Sequence, residues 1–328
     1  MTKNSVIGID LGGTKIYTAL ASLSGEIIAE VKVSTQSALG VTGVQQNIIW
    51  TVEQVQIKAG SKDQVRAVGI GVPGPLNVNE GVVYQAPNLG WREVPIKQIL
   101  EKALKLPVYI ENDANLAAIG EHLRGAGVGV RDLIYVAVGT GIGGGLILNG
   151  QIYHGAGFGA GELGHMTIEP DGRPCNCGNK GCLETLASGS AMVQKALDLV
   201  KNGQGQSFLT AAQGEPQKIS SYLIAQLAAA GDKEALSILE AAGIALGIGL
   251  ANVINLLNPS LVILGGGALK VGRPYWEAME KEVSRRALQA AWRQVRLIPA
   301  GLGDRSGLFG AIALACQNET PDVSRRTS

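Results

Sequence analysis

Charge and aromatic rings are both scarce in this chain: 17% of its 328 residues are charged and 4% are aromatic. The 28 Lys and Arg residues nearly cancel the 27 Asp and Glu residues, leaving a net charge of +1. Such a balance builds no field for nucleic acid or an anionic membrane, so neither is expected as a partner. The N-terminus lacks the apolar core and small-residue cleavage site of a secretory signal, because residues 1–5 run straight into an apolar strand. A cytoplasmic location is expected from this. The longest apolar stretch, residues 241–257, is broken by Gly243, Gly247, Gly249, Asn252 and Asn255. A membrane span needs about 20 mostly apolar residues, so this stretch reads as a buried helix. Cysteine is rare too, with four in the chain, but Cys175, Cys177 and Cys182 fall within eight residues. Without a secretion signal, such a cluster favours a metal over a disulfide. Cys316 stands alone in an apolar helix and reads as core.

Apolar residues and glycine are abundant, at 46% and 46 residues. The length exceeds the ~100–150 residues of one typical domain, so two lobes are expected. Residues 6–10 alternate as a strand and meet Leu11-Gly12-Gly13-Thr14-Lys15, followed by strands at 16–20 and 27–33. The pattern returns about 125 positions later, where 133–138 leads into Gly139-Thr140-Gly141 and then 145–148 and 151–153. Two strand–turn–strand–turn–strand units imply a duplicated core, one copy opening each lobe. Helices are expected over 41–59, 96–105, from Asp113 onward, and over 188–201, 219–230, 233–257, 274–288 and 306–317. Further strands are expected at 65–72, 108–110, 261–264 and 295–299, which makes the class α/β.

The turn Asp10–Lys15 lies between two strands, so it is neither a Walker loop nor a Rossmann fingerprint, both of which open a helix. Its glycines let backbone N–H groups approach phosphate oxygens, Thr14 adds a hydroxyl, and Asp10 is placed to hold magnesium through water. A plain hairpin turn explains the same residues. The matching turn at Gly139, Thr140 and Gly141 tips the reading toward a nucleotide clamped between lobes. Gly265-Gly266-Gly267 follows a buried strand and suits either a flat ligand or tight packing. Cys175, Cys177 and Cys182 offer three thiolates, and His165, ten residues before Cys175, completes a four-ligand zinc site. With no open position such a site is structural. His122 and His154 read as ordinary helix or loop residues. Glu111-Asn112-Asp113 falls where a strand gives way to a helix, so Asp113 fits an N-cap or a ligand-facing carboxylate equally well.

Taken together, these residues resemble the ROK family (repressors, unknown open reading frames and sugar kinases). The resemblance covers nearly the whole chain. Its most specific elements are Cys-x-Cys-Gly-x-x-Gly-Cys-x-Glu at 175–184 and Gly-Glu-x-Gly-His at 161–165. It implies a two-lobed actin-like ATPase fold of the ribonuclease H-like type, with the last helix packing back on the first lobe. Residues 1–112 would form the N-terminal lobe, completed by a helix at about 304–318; 113–303 the C-terminal lobe with the zinc loop; and 319–328 a flexible tail. It further implies that Asp113 is the general base toward a sugar hydroxyl, with Asn112, Glu162, His165 and Glu184 bonding other hydroxyls, and Gly74 and Asn88 as additional contacts. Nucleotide would lie against Asp10, Gly12, Gly13, Thr14, Lys15, Gly139, Thr140, Gly141, Gly265 and Gly266.

His165 would then offer one ring nitrogen to zinc and the other to sugar, so that losing a zinc ligand raises the sugar KM and leaves both phosphate turns intact. Asn-Leu-Gly-Trp at 88–91 and Glu-Asn-Asp-Ala-Asn at 111–115 look like the glucokinase branch, whose substrates are Mg-ATP and the 6-hydroxyl of glucose. Fructose, mannose and N-acetylglucosamine are the alternative acceptors. Polyphosphate-using relatives lack the cysteine cluster, which favours ATP. Family members commonly form dimers and sometimes tetramers, implying a homo-oligomer. The rival function is a sugar-responsive repressor, which carries a helix-turn-helix module ahead of the Asp-x-Gly motif, where nine residues stand in this chain.

Overall fold

Strand β1 (Asn4–Leu11) opens the fold in the computed structural model, which describes residues 4–60 and 64–319. The tail expected to be flexible therefore lies outside the described residues, apart from Glu319. In chain order follow β2 (Lys15–Ser22), β3 (Ile27–Ser34), α1 (Gly40–Ala59), β4 (Gln64–Val72), β5 (Leu76–Asn77), β6 (Val82–Ala86), β7 (Trp91–Val94), α2 (Ile96–Leu104), β8 (Val108–Asn112) and α3 (Asp113–Arg124). Then come β9 (Leu133–Val138), β10 (Ile142–Leu148), β11 (Gln151–Ile152), α4 (Glu184–Ala187), α5 (Gly189–Lys201), α6 (Gln206–Ala211), α7 (Ser221–Ala229) and α8 (Lys233–Leu257). The chain closes with β12 (Leu261–Gly265), α9 (Arg273–Arg286), α10 (Gln289–Trp292), β13 (Arg296–Pro299) and α11 (Ser306–Glu319).

Two five-stranded sheets carry the architecture, in the orders β3-β2-β1-β4-β8 and β11-β10-β9-β12-β13. In the first, β2 runs antiparallel to β1 and β3, while β1, β4 and β8 are parallel. In the second, β11 is antiparallel to β10, and β12 is parallel to β9 and to β13. The strand order is the same position by position, as the duplicated core implied, and the fold is the two-lobed actin-like kind. The strands β1, β4 and β12 are buried along most of their length, which is why they read as continuous apolar runs rather than alternating ones. A third, three-stranded sheet, β5-β6-β7, was not foreseen from sequence. Its strands are too short to show a period, and Trp91 of β7 and the neighbouring Leu89 are buried in one core with Ile7, Ile9 and Val44.

The chain divides into two compact units. One comprises the chain up to Arg131, Gly145–Ala160 and the chain from Ala300 onward; the other comprises Asp132–Gly144 and Gly161–Pro299. The first thus runs through α3, beyond residue 112, because α3 packs along α11 within that unit. On one sheet face Val44, Ile48, Val52 and Val55 of α1 pack with Ile7, Ile9, Ile70 and Val72. On the other, Leu308, Ile312 and Ala315 of α11 meet Val6, Ala19 and Ala21. Gly69 permits that approach, since a side chain there would strike the Ala311 carbonyl.

In the second unit α8 is long and apolar enough to cross a membrane by length and composition. It is nonetheless a core helix, with 67% of its most apolar window buried. Gly243 and Gly247 of α8 lie against the backbone of α9 at Tyr275 and Met279.

Candidate active site and metal centre

The junction of β8 and α3 is built by Glu111, Asn112 and Asp113. The Asn112 Oδ1 accepts the Ala114 and Asn115 amides at 2.9 and 3.2 Å, so Asn112, not Asp113, is the N-cap. Its Nδ2 donates to the Gly74 carbonyl at 3.3 Å, which leaves one amide N–H of Asn112 for another partner. Asp113 occupies the first helical position, where the N-terminal peptide dipoles favour a negative charge, and its Oδ1 accepts the Ala114 amide at 2.8 Å. Gly74 adopts φ 92°, and a side chain there would strike the Gln85 carbonyl. Behind this junction Glu111 is buried, bonded through Oε1 to the Asn112 amide at 2.9 Å and to Asn115 Nδ2 at 3.0 Å. Its Oε2 meets His154 Nε2 at 2.6 Å. The Glu111 carboxylate holds the imidazole pKa above its usual value, against the opposing effect of burial. His154 is therefore not the ordinary loop residue expected from sequence. An isolated histidine followed by glycines gave no sign of a carboxylate 43 positions away.

The first glycine turn is closed by Gly12 N–H bonding the Lys15 carbonyl at 2.9 Å, and Thr35 Oγ1 donates to the Gly12 carbonyl at 2.6 Å. Thr14 is exposed at its tip. A Cβ on Gly13 would lie 2.9 Å from Asn88 Cβ, so the structure brings Asn88 against this turn. At the base of the turn, burial pushes the Asp10 carboxyl above the usual carboxylate range, with Lys15 and Lys32 opposing and Asp304 reinforcing the shift. A carboxylate in that setting is stabilised by any added cation.

The second turn belongs to the other unit. Gly139 N–H bonds the Gly141 carbonyl at 2.9 Å, and Thr140 is exposed. Gly266, at φ 98°, presses on the Val138 carbonyl, and Gly265 on the Tyr135 hydroxyl. The glycines at 265–266 thus serve close packing, and that packing lays their backbone beside the second turn.

Glu162, His165 and Glu184 assemble within the same unit. His165 Nε2 lies 3.9 Å from Glu162 Oε2, while its Nδ1 lies 3.7 Å from Cys175 Sγ. Burial raises the Glu162 carboxyl pKa, with His165 opposing and Glu184 reinforcing. His165 thus turns one nitrogen toward the Cys175 thiol and the other toward the Glu162 carboxylate. The ligand atoms of His165, Cys175, Cys177 and Cys182 all lie within 4.8 Å of one another, and none of these three cysteines is in a disulfide. Burial, with the neighbouring thiols, pushes the Cys182 thiol up to about 12, whereas the Asn179 backbone amide is the main influence lowering Cys177. Three sulfurs and one imidazole at this spacing suit tetrahedral zinc, whose charge would favour the thiolate forms. Cys316 lies apart, half-buried beside the α11 core.

Two sheets of one strand order, each with a glycine–threonine turn after its first strand, define the class as an actin-like ATPase fold. The chain matches the ROK family over residues 6–318. It is 35% identical to a glucokinase of Halalkalibacterium halodurans over 321 residues, 97% of each chain. It is also 35% identical to the xylose repressor of Caldicellulosiruptor bescii over 312 residues, 94% of this chain and 77% of the repressor. A ROK family glucokinase from Streptomyces griseus, solved in complex with glucose and AMPPNP, shares the fold at a TM-score of 0.82. Its identity to this chain is 35%, over 95% of this chain and 99% of that one. The chain belongs to the ROK family.

Proposed function

We propose that this protein is a glucokinase that transfers the γ-phosphoryl group of Mg-ATP to the 6-hydroxyl of glucose. The observation that carries the reading is Asp113 at the first helical position of α3, where Asn112 takes over the capping role. Full-length likeness to glucokinases, one of them solved with glucose and AMPPNP, supports the choice of substrates. In this reading Asp113 accepts the proton of the attacking hydroxyl. Glu162, His165, Glu184 and the remaining N–H of Asn112 bind other hydroxyls, with Gly74 and Asn88 as flanking contacts. The turns at Gly12–Lys15 and Gly139–Gly141 present amide and hydroxyl donors to the phosphates, with Gly265 and Gly266 beside the nucleotide.

Phosphoryl transfer passes through a loose transition state, so positioning and charge neutralisation count for more than a strong base. Magnesium would neutralise the phosphates, with Asp10 holding it through water. Zinc at His165, Cys175, Cys177 and Cys182 would have all its positions filled by protein, so it organises the hydroxyl-binding residues and takes no part in the chemistry. A cytoplasmic homo-oligomer, dimer or tetramer, belongs to the same proposal.

A kinetic panel of hexoses with Mg-ATP tests the reading. Glucose is expected to give the highest kcat/KM; a higher value for fructose, mannose or N-acetylglucosamine would reassign the acceptor. The likeness to a xylose repressor supports a second reading, sugar sensing without catalysis. Hexose binding with no turnover at saturating Mg-ATP would favour it.

A further inference from the structure

The second glycine turn does not stand by itself. Glu184, the first residue of α4, accepts the Ile142 amide through Oε2 at 2.8 Å. A side chain on Gly141 would collide with that same oxygen, so the carboxylate lies directly against the turn backbone. Five residues further on, Gly189 N–H bonds the Gly139 carbonyl at 2.8 Å. The segment 184–189 therefore grips the turn at both ends. Its own start is tied to the metal-ligating loop: Thr185 N–H and Oγ1 both donate to the Cys182 carbonyl, at 2.9 and 2.8 Å, and Leu183 N–H to Met166 at 2.9 Å. On the opposite side of Ile142, Gly164 packs against its carbonyl, between Glu162 and His165.

We propose that Glu184 is a positioning residue for the nucleotide turn, and that through it the zinc loop sets nucleotide affinity as well as sugar affinity. The inference rests on the nucleotide reading of Gly139–Gly141 given above. It departs from the expectation that loss of a zinc ligand leaves both turns intact. The physical basis is a charge-assisted bond from a carboxylate to a backbone amide, stronger than a neutral one. Without it, the amides at Gly141 and Ile142 lose their fixed orientation, and bound phosphate must bear the cost of ordering them.

The test measures the Kd for AMPPNP by calorimetry with no sugar present, so that a purely sugar-binding role for Glu184 cannot move it. Glu184→Ala is expected to weaken AMPPNP about tenfold or more, the size of a lost hydrogen bond to a charged group. Glu184→Gln keeps an oxygen able to accept the Ile142 amide, so its Kd is expected to stay within about threefold of wild type. Removing zinc from wild type, with depletion checked by elemental analysis, is expected to weaken AMPPNP to a similar degree. In Glu184→Ala the same treatment should add little, because the coupling is already broken. An unchanged Kd in Glu184→Ala, equal loss in the Ala and Gln variants, or fully additive effects of zinc removal and Glu184→Ala would each overturn the proposal. Wild-type protein that fails to bind AMPPNP at all would instead overturn the nucleotide reading beneath it.

Discussion

His154 and Glu111 form a partly buried pair, imidazole Nε2 to carboxylate Oε2 at 2.6 Å, behind the strand end that carries Asp113. The Phe158 ring packs edge-on against the imidazole at 6.0 Å between centroids. The Glu111 carboxylate raises the imidazole pKa above its usual value of 6.5, against the opposing effect of burial. A raised folded-state value means the pair stabilises fully below the unfolded value of about 6.5 and loses that contribution as pH climbs through the folded value. His154→Gln should therefore be less stable than wild type by about 1–3 kcal/mol near pH 6, with the gap narrowing as pH climbs through the raised folded-state value. Thermal melts across that range check it; a gap independent of pH would show that the pair is not an ion pair.

Asp113→Asn should retain the fold and sugar binding, because the helix cap belongs to Asn112. Loss of a general base typically costs about 10² or more in kcat. Steady-state kinetics on a variant with wild-type melting behaviour would settle it, and near-normal turnover would remove Asp113 from the chemistry.

The two glycine turns proposed to hold the phosphates should respond differently to a first methyl group. A Cβ on Gly139 meets nothing within 4 Å, so Gly139→Ala should melt like wild type while raising the KM for ATP. A Cβ on Gly13 lies 2.9 Å from Asn88, so Gly13→Ala should shift Asn88 and raise the KM for both substrates. Unchanged ATP kinetics in both variants would reduce the turns to structural hairpins.

One zinc per chain is expected, lost in Cys177→Ala and retained in Cys316→Ser, since Cys316 lies outside the cluster. Elemental analysis of the three proteins decides this. Wild-type enzyme that is fully active without metal would contradict an organising role for zinc.

Glu121 is fully buried, and its carboxylate accepts the amides of Ala126, Gly301 and Leu302 at 2.8–2.9 Å and the Ser306 hydroxyl at 2.7 Å. It fixes the turn leading into α11, whose Gly307 would place a Cβ 3.0 Å from the Asp10 carboxylate. Glu121→Ala strands three buried backbone amides, while the Ser306 hydroxyl keeps the Gly303 carbonyl at 2.9 Å, and should cost more than about 3 kcal/mol. Glu121→Gln should also destabilise, because its NH₂ faces donors. Denaturant titrations of both variants measure this; a loss below about 1 kcal/mol in each would show that the turn is held by other contacts.

The amino-acid sequence by itself determined the duplicated strand–turn–strand pattern, the boundaries of the longer helices to within a few residues, though not the short α4, α6 and α10, and the local chemistry of the cysteine cluster. All of these are encoded over short spans, where periodicity, glycine and ligand spacing act between near neighbours. It also placed Asp113 at a helix start, yet could not tell which residue caps that helix, because this depends on which way the adjacent Asn112 amide turns. Only the tertiary structure paired His154 with Glu111 across 43 positions, set Glu184 against the turn at Gly141, and buried Glu121 among donors some 180 positions away. Those partners carry no local signature. A buried carboxylate is defined by the hydrogen-bond donors that surround it, and these come together only when the sheets and helices have packed.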